Sequence, residues 1–352
     1  MTKKAKASSR RKASTRIMQV YVRPNSVGEK MRYPMAGSAR PSAADLAPGL
    51  KPMPAHDLKF RGGRTIPHLN YINFFVGGSG AWNSSDLDNI NTALSAAMSD
   101  RKLNNVMRQY FANQPITTTF LGAHFVGSKA PKLVTQTSAK QLVTDLFKGG
   151  QLSGIDFPST VVNLLLPSRV LLTDGTGKGR ARKRDDDDDR KRKPAGTPER
   201  EEDSSLGGLG GYHGAVDTKG RRIYYSVGVF SERLPGGREN GIAVFDEPWK
   251  NVVATFYHEL NEARTDPDVD QAIRTNRVEG VIGWNSDQGE ECGDFPVFEA
   301  GNNLSLVFQE VPVDGGGTAP VQFQYSNAVH GAEGPIATPH PLQIAHTIAE
   351  AA

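Results

Sequence analysis

Cysteine is almost missing from this 352-residue chain, which carries Cys292 alone. A single thiol excludes an internal disulfide framework and any structural zinc site built from several cysteines. Long apolar runs are missing too: nothing approaches the roughly 18 consecutive apolar residues that a membrane span needs. The N-terminus lacks an apolar core followed by a small-residue cleavage site, so no secretory signal is read. Cytoplasmic is then the default compartment, with secretion by another route left open. Acidic residues are absent before Glu29, whereas Lys3, Lys4, Lys6, Arg10, Arg11, Lys12, Arg16 and Arg23 all precede it. Such a tail reads as a solvated basic arm. A nucleic-acid role for it ranks last, because neither interleaved aromatics nor a recognised nucleic-acid fold accompanies the charge. Tryptophan is scarce, and Trp82, Trp249 and Trp284 are read as core rather than as a glycan platform.

What is present is a loop-rich chain with 37 glycines and 22 prolines, in which strand-like and helix-like segments alternate. Residues 1–64 are expected to form the arm, ordered in part near Tyr33 to Leu58. Leu69 to Val76 is dense in apolar and aromatic residues and is read as a buried strand closed by Gly77-Gly78. Helices are expected from Asp86 to Ser99, onward from Asp100 to Phe111, and from Ser138 to Phe147. Val161 to Leu166, Arg221 to Phe230, Gly241 to Phe245, Leu304 to Val311 and Val321 to Tyr325 are further strand candidates. Residues 174–205 interrupt the pattern with Arg180 to Arg184, Asp185 to Asp189 and Arg190 to Lys193. Charge blocks without apolar residues make no core, so this is a solvated insertion, and its many bases make the aspartate run a poor Ca²⁺ cage. The expectation is one mixed α/β domain over 65–330, with a mixed sheet, followed by a 331–352 tail bearing a short helix.

The densest chemistry lies in His258-Glu259-Leu260-Asn261-Glu262. Pro248 suits a first helical turn after Asp246 or Glu247, and Thr265-Asp266-Pro267 ends the helix. On that helix His258 and Glu262, four residues apart, share a face. Both can then reach one metal ion, and Glu259 sits where zinc-protease helices keep their general base. The second histidine of that pattern is replaced by Glu262. The competing interpretation makes Asn251, Thr255, His258 and Glu262 the solvated side of an amphipathic helix, opposite Val252, Val253, Phe256 and Leu260.

A third ligand would come from Gly289-Glu290-Glu291-Cys292-Gly293-Asp294, where glycines let the backbone approach closely. Glu290, Glu291 and Asp294 are the candidates. Otherwise these acids cap a turn or pair with a base such as Arg264. Such oxygen-rich coordination suits Zn²⁺ without excluding Mn²⁺ or Ca²⁺. His213 is a candidate catalytic residue, with Tyr212 beside it. The Asp266-x-Asp268-x-Asp270 run fails as an EF-hand, since Gln271 stands where glycine belongs and Arg277 where the bidentate glutamate belongs.

The His258-Glu259-x-x-Glu262-Ala263 helix, Thr265-Asp266-Pro267, Gly283-Trp284 and Glu291-Cys292-Gly293-Asp294 together resemble the phosphate-induced, EXORDIUM-like family. The Tyr71 to Trp82 segment and Gly211-Tyr212-His213 are similar to its blocks as well. The resemblance covers about residues 65–330 and implies an α/β domain with a zincin-like helix. In plants the family is associated with the cell wall and growth responses. Plant members are secreted and have several cysteines, and this chain departs from them in both respects.

The function expected is a zinc-dependent, peptidase-like hydrolase. His258, Glu262 and Glu291 or Asp294 would hold the ion, and Glu259 would activate a bound water against a peptide or small-molecule substrate. The alternative is a non-catalytic binding or signalling domain in which the same elements form a structural site.

Overall fold

The apolar run at 69–76 becomes the second strand of a five-stranded sheet. In the computed structural model, which describes residues 46–175 and 204–341, the strands are β1 (His68–Val76), β2 (Thr117–Val126), β3 (Thr160–Leu165), β4 (Gly211–Thr218) and β5 (Arg221–Gly228). Their order is β2-β1-β3-β5-β4. The first four run parallel, and β4 closes one edge antiparallel to β5. β3 is buried along its whole length, as a strand covered on both faces must be, which explains its continuous apolar run. Among the described residues six α-helices accompany the strands: α1 (Ser84–Ser99), α2 (Arg101–Met107), α3 (Gln136–Lys148), α4 (Pro248–Thr265), α5 (Val269–Thr275) and α6 (Asp294–Ala300). The fold is mixed α/β. No helix among the described residues is long and apolar enough to cross a membrane. The arm before residue 46, most of the charged insertion and the short C-terminal helix lie outside the described residues.

Strand alternation divides the core into two. Tyr71 and Phe75 of β1, with Val161 and Leu165 of β3, join Ile90 and Leu94 of α1 and Val253, Phe256 and Leu260 of α4. Ile72 and Phe74, with Val162 and Leu164, join Val143 and Leu146 of α3 on the other face. Beyond α4 lie two hairpins, β6 (Phe308–Pro312) with β7 (Thr318–Gln322) and β8 (Gln324–Ser326) with β9 (Gly331–Glu333). Val311, Ala319, Val321 and Ala332 of these strands, with Phe323 between β7 and β8, complete the α4 core. α4 is therefore covered from both sides, and every residue from Asn251 to Thr265 is buried. That overturns the solvated-face interpretation of its polar residues.

Helix starts follow local chemistry. Asn83 accepts from the Ser85 N–H to cap α1, Asp100 accepts from Lys102 and Leu103 to cap α2, and Thr135 with Ser138 forms a capping box on α3. Three expectations are corrected. Gly241 to Phe245 is a loop, because the Asn251 side chain takes the N–H groups of Val244 and Phe245 and donates to the carbonyls of Ser231 and Phe245. Leu304 to Leu306 is a helical turn, with the strand beginning only at Phe308. The folded body also extends past 330, since β9 pairs with β8 and Glu333 bridges back to Leu46.

A row of polar residues crosses the sheet on the α4 face. The register aligns Asn73 with Asn163, Asn163 with Ser226, and Ser226 with His213 at the edge. Asn73 donates to Asn91 at 2.8 Å, Asn163 donates to Asn73 at 2.9 Å, and Ser226 donates to Asn163 at 2.7 Å. Each is fully buried, so removing one member leaves its neighbours desolvated and unpaired. Asn163→Ala is expected to lower unfolding stability by about 2–4 kcal/mol, read from urea midpoints, whereas an unchanged midpoint would mean that the row contributes nothing.

Candidate metal centre

The buried polar face of α4 meets β4 on one side and the segment entering α6 on the other. His258, Glu259 and Glu262 come from the helix, His213 from β4, and Glu291 and Asp294 from that segment. All six are at least nine-tenths buried. Close approach is possible because the neighbours are glycines. A Cβ on Gly293 would lie 2.3 Å from His258 Nδ1, and one on Gly211 would lie 3.1 Å from Glu259 Oε1.

The ring orientations are fixed from outside the cluster. Gln322 of β7 donates its amide N–H to the Gly293 carbonyl at 2.5 Å, so its Oε1 faces His258 Nδ1 at 2.8 Å. An amide oxygen only accepts, so Nδ1 carries a proton; a neutral ring, as a metal ligand is, would then present Nε2 as a lone pair, whereas the imidazolium carries a second proton there. Nε2 lies 3.1 Å from Glu262 Oε2 and makes no hydrogen bond. His213 is held in a comparable way, with Nε2 facing the Asp266 carbonyl at 3.0 Å. Its Nδ1 lies 3.5 Å from Glu259 Oε2 and 3.6 Å from Glu262 Oε2. The second Glu262 oxygen accepts from the Gly293 N–H at 3.1 Å, and Asp294 accepts from the Glu291 N–H at 3.1 Å. These donor atoms form two triads, His258–Glu262–Asp294 and His213–Glu259–Glu262, each within 4.8 Å.

Nitrogen and carboxylate donors about 2.0–2.2 Å from one zinc lie about 3–4 Å from each other, which matches the His258–Glu262 spacing. The unbonded His258 Nε2 and Glu291 Oε1 are the buried orphans that a cation would satisfy. The donor set therefore fits a divalent ion of borderline softness.

Charge burial is expressed in the acidities. Burial alone would depress His258, but Glu262, Glu259 and Asp294 lift it to about 10. His213 is likewise raised, against burial, by Glu291, Glu259 and Glu262. Burial would raise Glu262, yet the two imidazoles hold it down at about 2. Burial pushes Glu259 upward, and lifts Glu291 and Asp294 well above the carboxylate range, with Glu262 adding repulsion. Asp266, buried beside His213, is pushed up to about 7.

Several expected partners are placed elsewhere. Glu290 binds the Ser286 hydroxyl outside the cluster. Arg264 reaches Asn104 and the Thr117–Thr118 segment rather than either acid. Strand alternation turns Tyr212 to the opposite sheet face, against Tyr225. Asp266 holds the helix end, accepting from the Gly283 N–H at 3.2 Å. Asp268 pairs with Arg222 and Asp270 with Lys140, so the aspartate run is dispersed. Gln322 was not legible in the sequence: a lone glutamine in a short strand carries no motif, and only the fold brings it to His258.

No family model, curated protein or solved structure matches the chain.

The acidities fix the sign of a pH effect in the metal-free chain. Groups whose pKa is raised in the folded state bind more protons there, so stability falls as pH rises. The imidazole contribution is complete below about 6.5 and is lost as pH climbs through the raised values, towards 10 for His258. Raised carboxylates add a penalty that begins above about pH 4, while the Glu262 contribution is lost only on acidification towards 2. Chelator-treated protein should therefore lose stability between about pH 5 and about pH 9, and added zinc should stabilise it more at the higher pH, where protons no longer compete. A urea midpoint flat across that window, with and without zinc, would contradict the buried-charge account.

Proposed function

We propose that the chain is a metal-dependent hydrolase, with zinc the favoured ion and a peptide the favoured substrate class. The observation that carries this reading is the buried His258–Glu262–Asp294 group, in which Gln322 engages Nδ1 and turns Nε2 to within 3.1 Å of Glu262. His258 and Glu262 would hold the ion with Asp294. Glu291 stands 3.5 Å from His213 on the far side. A divalent ion there would supply Lewis acidity and lower the pKa of a bound water to about 7. Glu259 is the proton acceptor in this reading. Burial raises its pKa, which brings a carboxylate closer to neutral pH and makes it a better base. His213, 3.5 Å from Glu259, would hold the resulting carboxyl in place by charge and orientation. His258 and Glu259 are the cluster's members that line the crevice formed with Gly210, Gly211, Ile242, Thr255, Phe308 and Gln322. The resemblance of the His-Glu-x-x-Glu and Glu-x-Gly-Asp elements to the EXORDIUM-like pattern is consistent with the same site.

One observation favours a second reading. The crevice is too narrow to hold a water molecule, and closed metal sites are structural rather than catalytic. A structural ion would join α4 to the α6 segment in a binding or signalling domain.

The two readings separate on Glu259. In the hydrolase, Glu259→Gln keeps one equivalent of zinc by plasma mass spectrometry and loses about 100- to 10,000-fold in peptide cleavage. His258→Ala loses the ion of this triad and the activity. Wild-type protein that holds zinc but cleaves nothing in a broad peptide library would leave the structural reading standing. Folded wild-type protein that takes up no zinc would defeat both.

A further inference from the structure

We propose a second divalent-cation site in the same cluster, formed by His213, Glu259 and Glu262 and sharing Glu262 with the first. The inference rests on the metal reading of the His258–Glu262–Asp294 triad and goes beyond it. Apart from Glu262 the two triads have no residue in common, so one ion does not exhaust the donors. His213 Nδ1 is 3.5 Å from Glu259 Oε2 and 3.6 Å from Glu262 Oε2, within the spacing of about 3–4 Å expected of ligands on one ion. The Asp266 carbonyl fixes the tautomer: it takes the Nε2 proton at 3.0 Å and leaves Nδ1 of the neutral ring as a lone pair towards the carboxylates.

The surroundings are short of counter-charge as well. Glu291 Oε1, on a residue 4% exposed, has no hydrogen-bond partner and sits 3.5 Å from Nε2, the outer nitrogen of the His213 ring, beside the triad rather than in it. Charge gives the same direction. Glu259, Glu262, Glu291, Asp294 and Asp266 are all buried here, and the ion pairs made by Glu259, Glu262 and Glu291 are with the two histidines. Ligating imidazoles are neutral, so with the carboxylates ionised one divalent ion leaves a net negative charge, which a second ion, or protons on the carboxyls that do not ligate, would answer. Mixed imidazole and carboxylate donors suit Zn²⁺ or Mn²⁺.

The second site has a consequence for the first. Its ion is held through Glu259, the carboxylate assigned to accept the proton. A cation on Glu259 Oε2 lowers the basicity of that carboxylate, so the second ion is inhibitory.

The test uses the full chain, treated with chelator and titrated with zinc chloride, with bound metal counted by native mass spectrometry and plasma mass spectrometry. Two equivalents are expected in the wild type. His213→Gln and Asp294→Asn should each retain one. One equivalent in the wild type, unchanged in His213→Gln, overturns the second site while leaving the first. Two equivalents that persist in His213→Gln put the second ion elsewhere and overturn it equally. No bound zinc overturns the metal reading of both triads. Circular dichroism checks that each variant is folded, and the wild-type stoichiometry decides the matter if a variant is not.

Discussion

Ionised carboxylates do not stay in a dry interior unless something answers their charge, and this one condition organises the centre of the molecule. Glu259, Glu262, Glu291 and Asp294 meet around the middle of α4 with two imidazoles, and each is buried. Protons can answer part of the charge, as the raised pKa values of His213, Glu291 and Asp294 indicate. The orientation of the rings is set from outside the cluster. Gln322 and the Asp266 carbonyl each accept a proton from the outer nitrogen of a histidine. The inner nitrogens then face carboxylates, and either a second proton, as the raised pKa values favour, or a cation answers that charge. Outer contacts that fix the tautomer and aim the lone pair are the usual supports of a metal-binding histidine.

The rest of the fold makes that centre possible by closing α4 from both sides. The sheet covers one side, and the hairpins β6–β7 and β8–β9 cover the other. The sheet's own polar row, Asn73–Asn163–Ser226, is satisfied internally and leads to His213 on the edge strand. His213 is thus the end of a polar layer rather than an isolated residue. Glycines at 211 and 293 remove the Cβ atoms that would otherwise strike Glu259 and His258. These two glycines, with the register of β4 and β5, set how closely the three parts of the site approach.

The sequence made some of this legible for clear reasons. α4 could be read from Pro248, its apolar spacing and Pro267, because helix ends are local features. The strands at 69–76 and 161–165 could be read because central parallel strands are continuously apolar. The candidate site was legible to the extent that its residues sit in one helix turn and one glycine-bounded segment. What could not be read was long-range. Amphipathic spacing suggested a wet face for Asn251, Thr255 and His258, and only the hairpins contributed by residues 308–333 make that face interior. Gln322 lies 64 positions from His258 and belongs to no motif. The loop at Gly241–Phe245 looked like a strand because its composition is apolar, whereas a single side chain, Asn251, replaces the ladder it would have needed.

Glu259 is where structure and chemistry separate most clearly. His258 and Glu262 have partners that explain their positions without a reaction: Gln322 for one and the Gly293 N–H for the other. Asp294 accepts from the Glu291 N–H and so turns the chain into α6. Glu259 closes no comparable turn. It is carried to the crevice beside Gly211, where burial raises its affinity for a proton and where His258 is its one ionisable neighbour along the wall. A helix position facing the core would ordinarily carry an apolar residue, since a buried carboxylate costs several kcal/mol that a leucine would not. Keeping a carboxylate there is physically reasonable if its oxygens have work on a proton or a cation, and the narrow crevice is then the feature that must widen for a substrate to reach it.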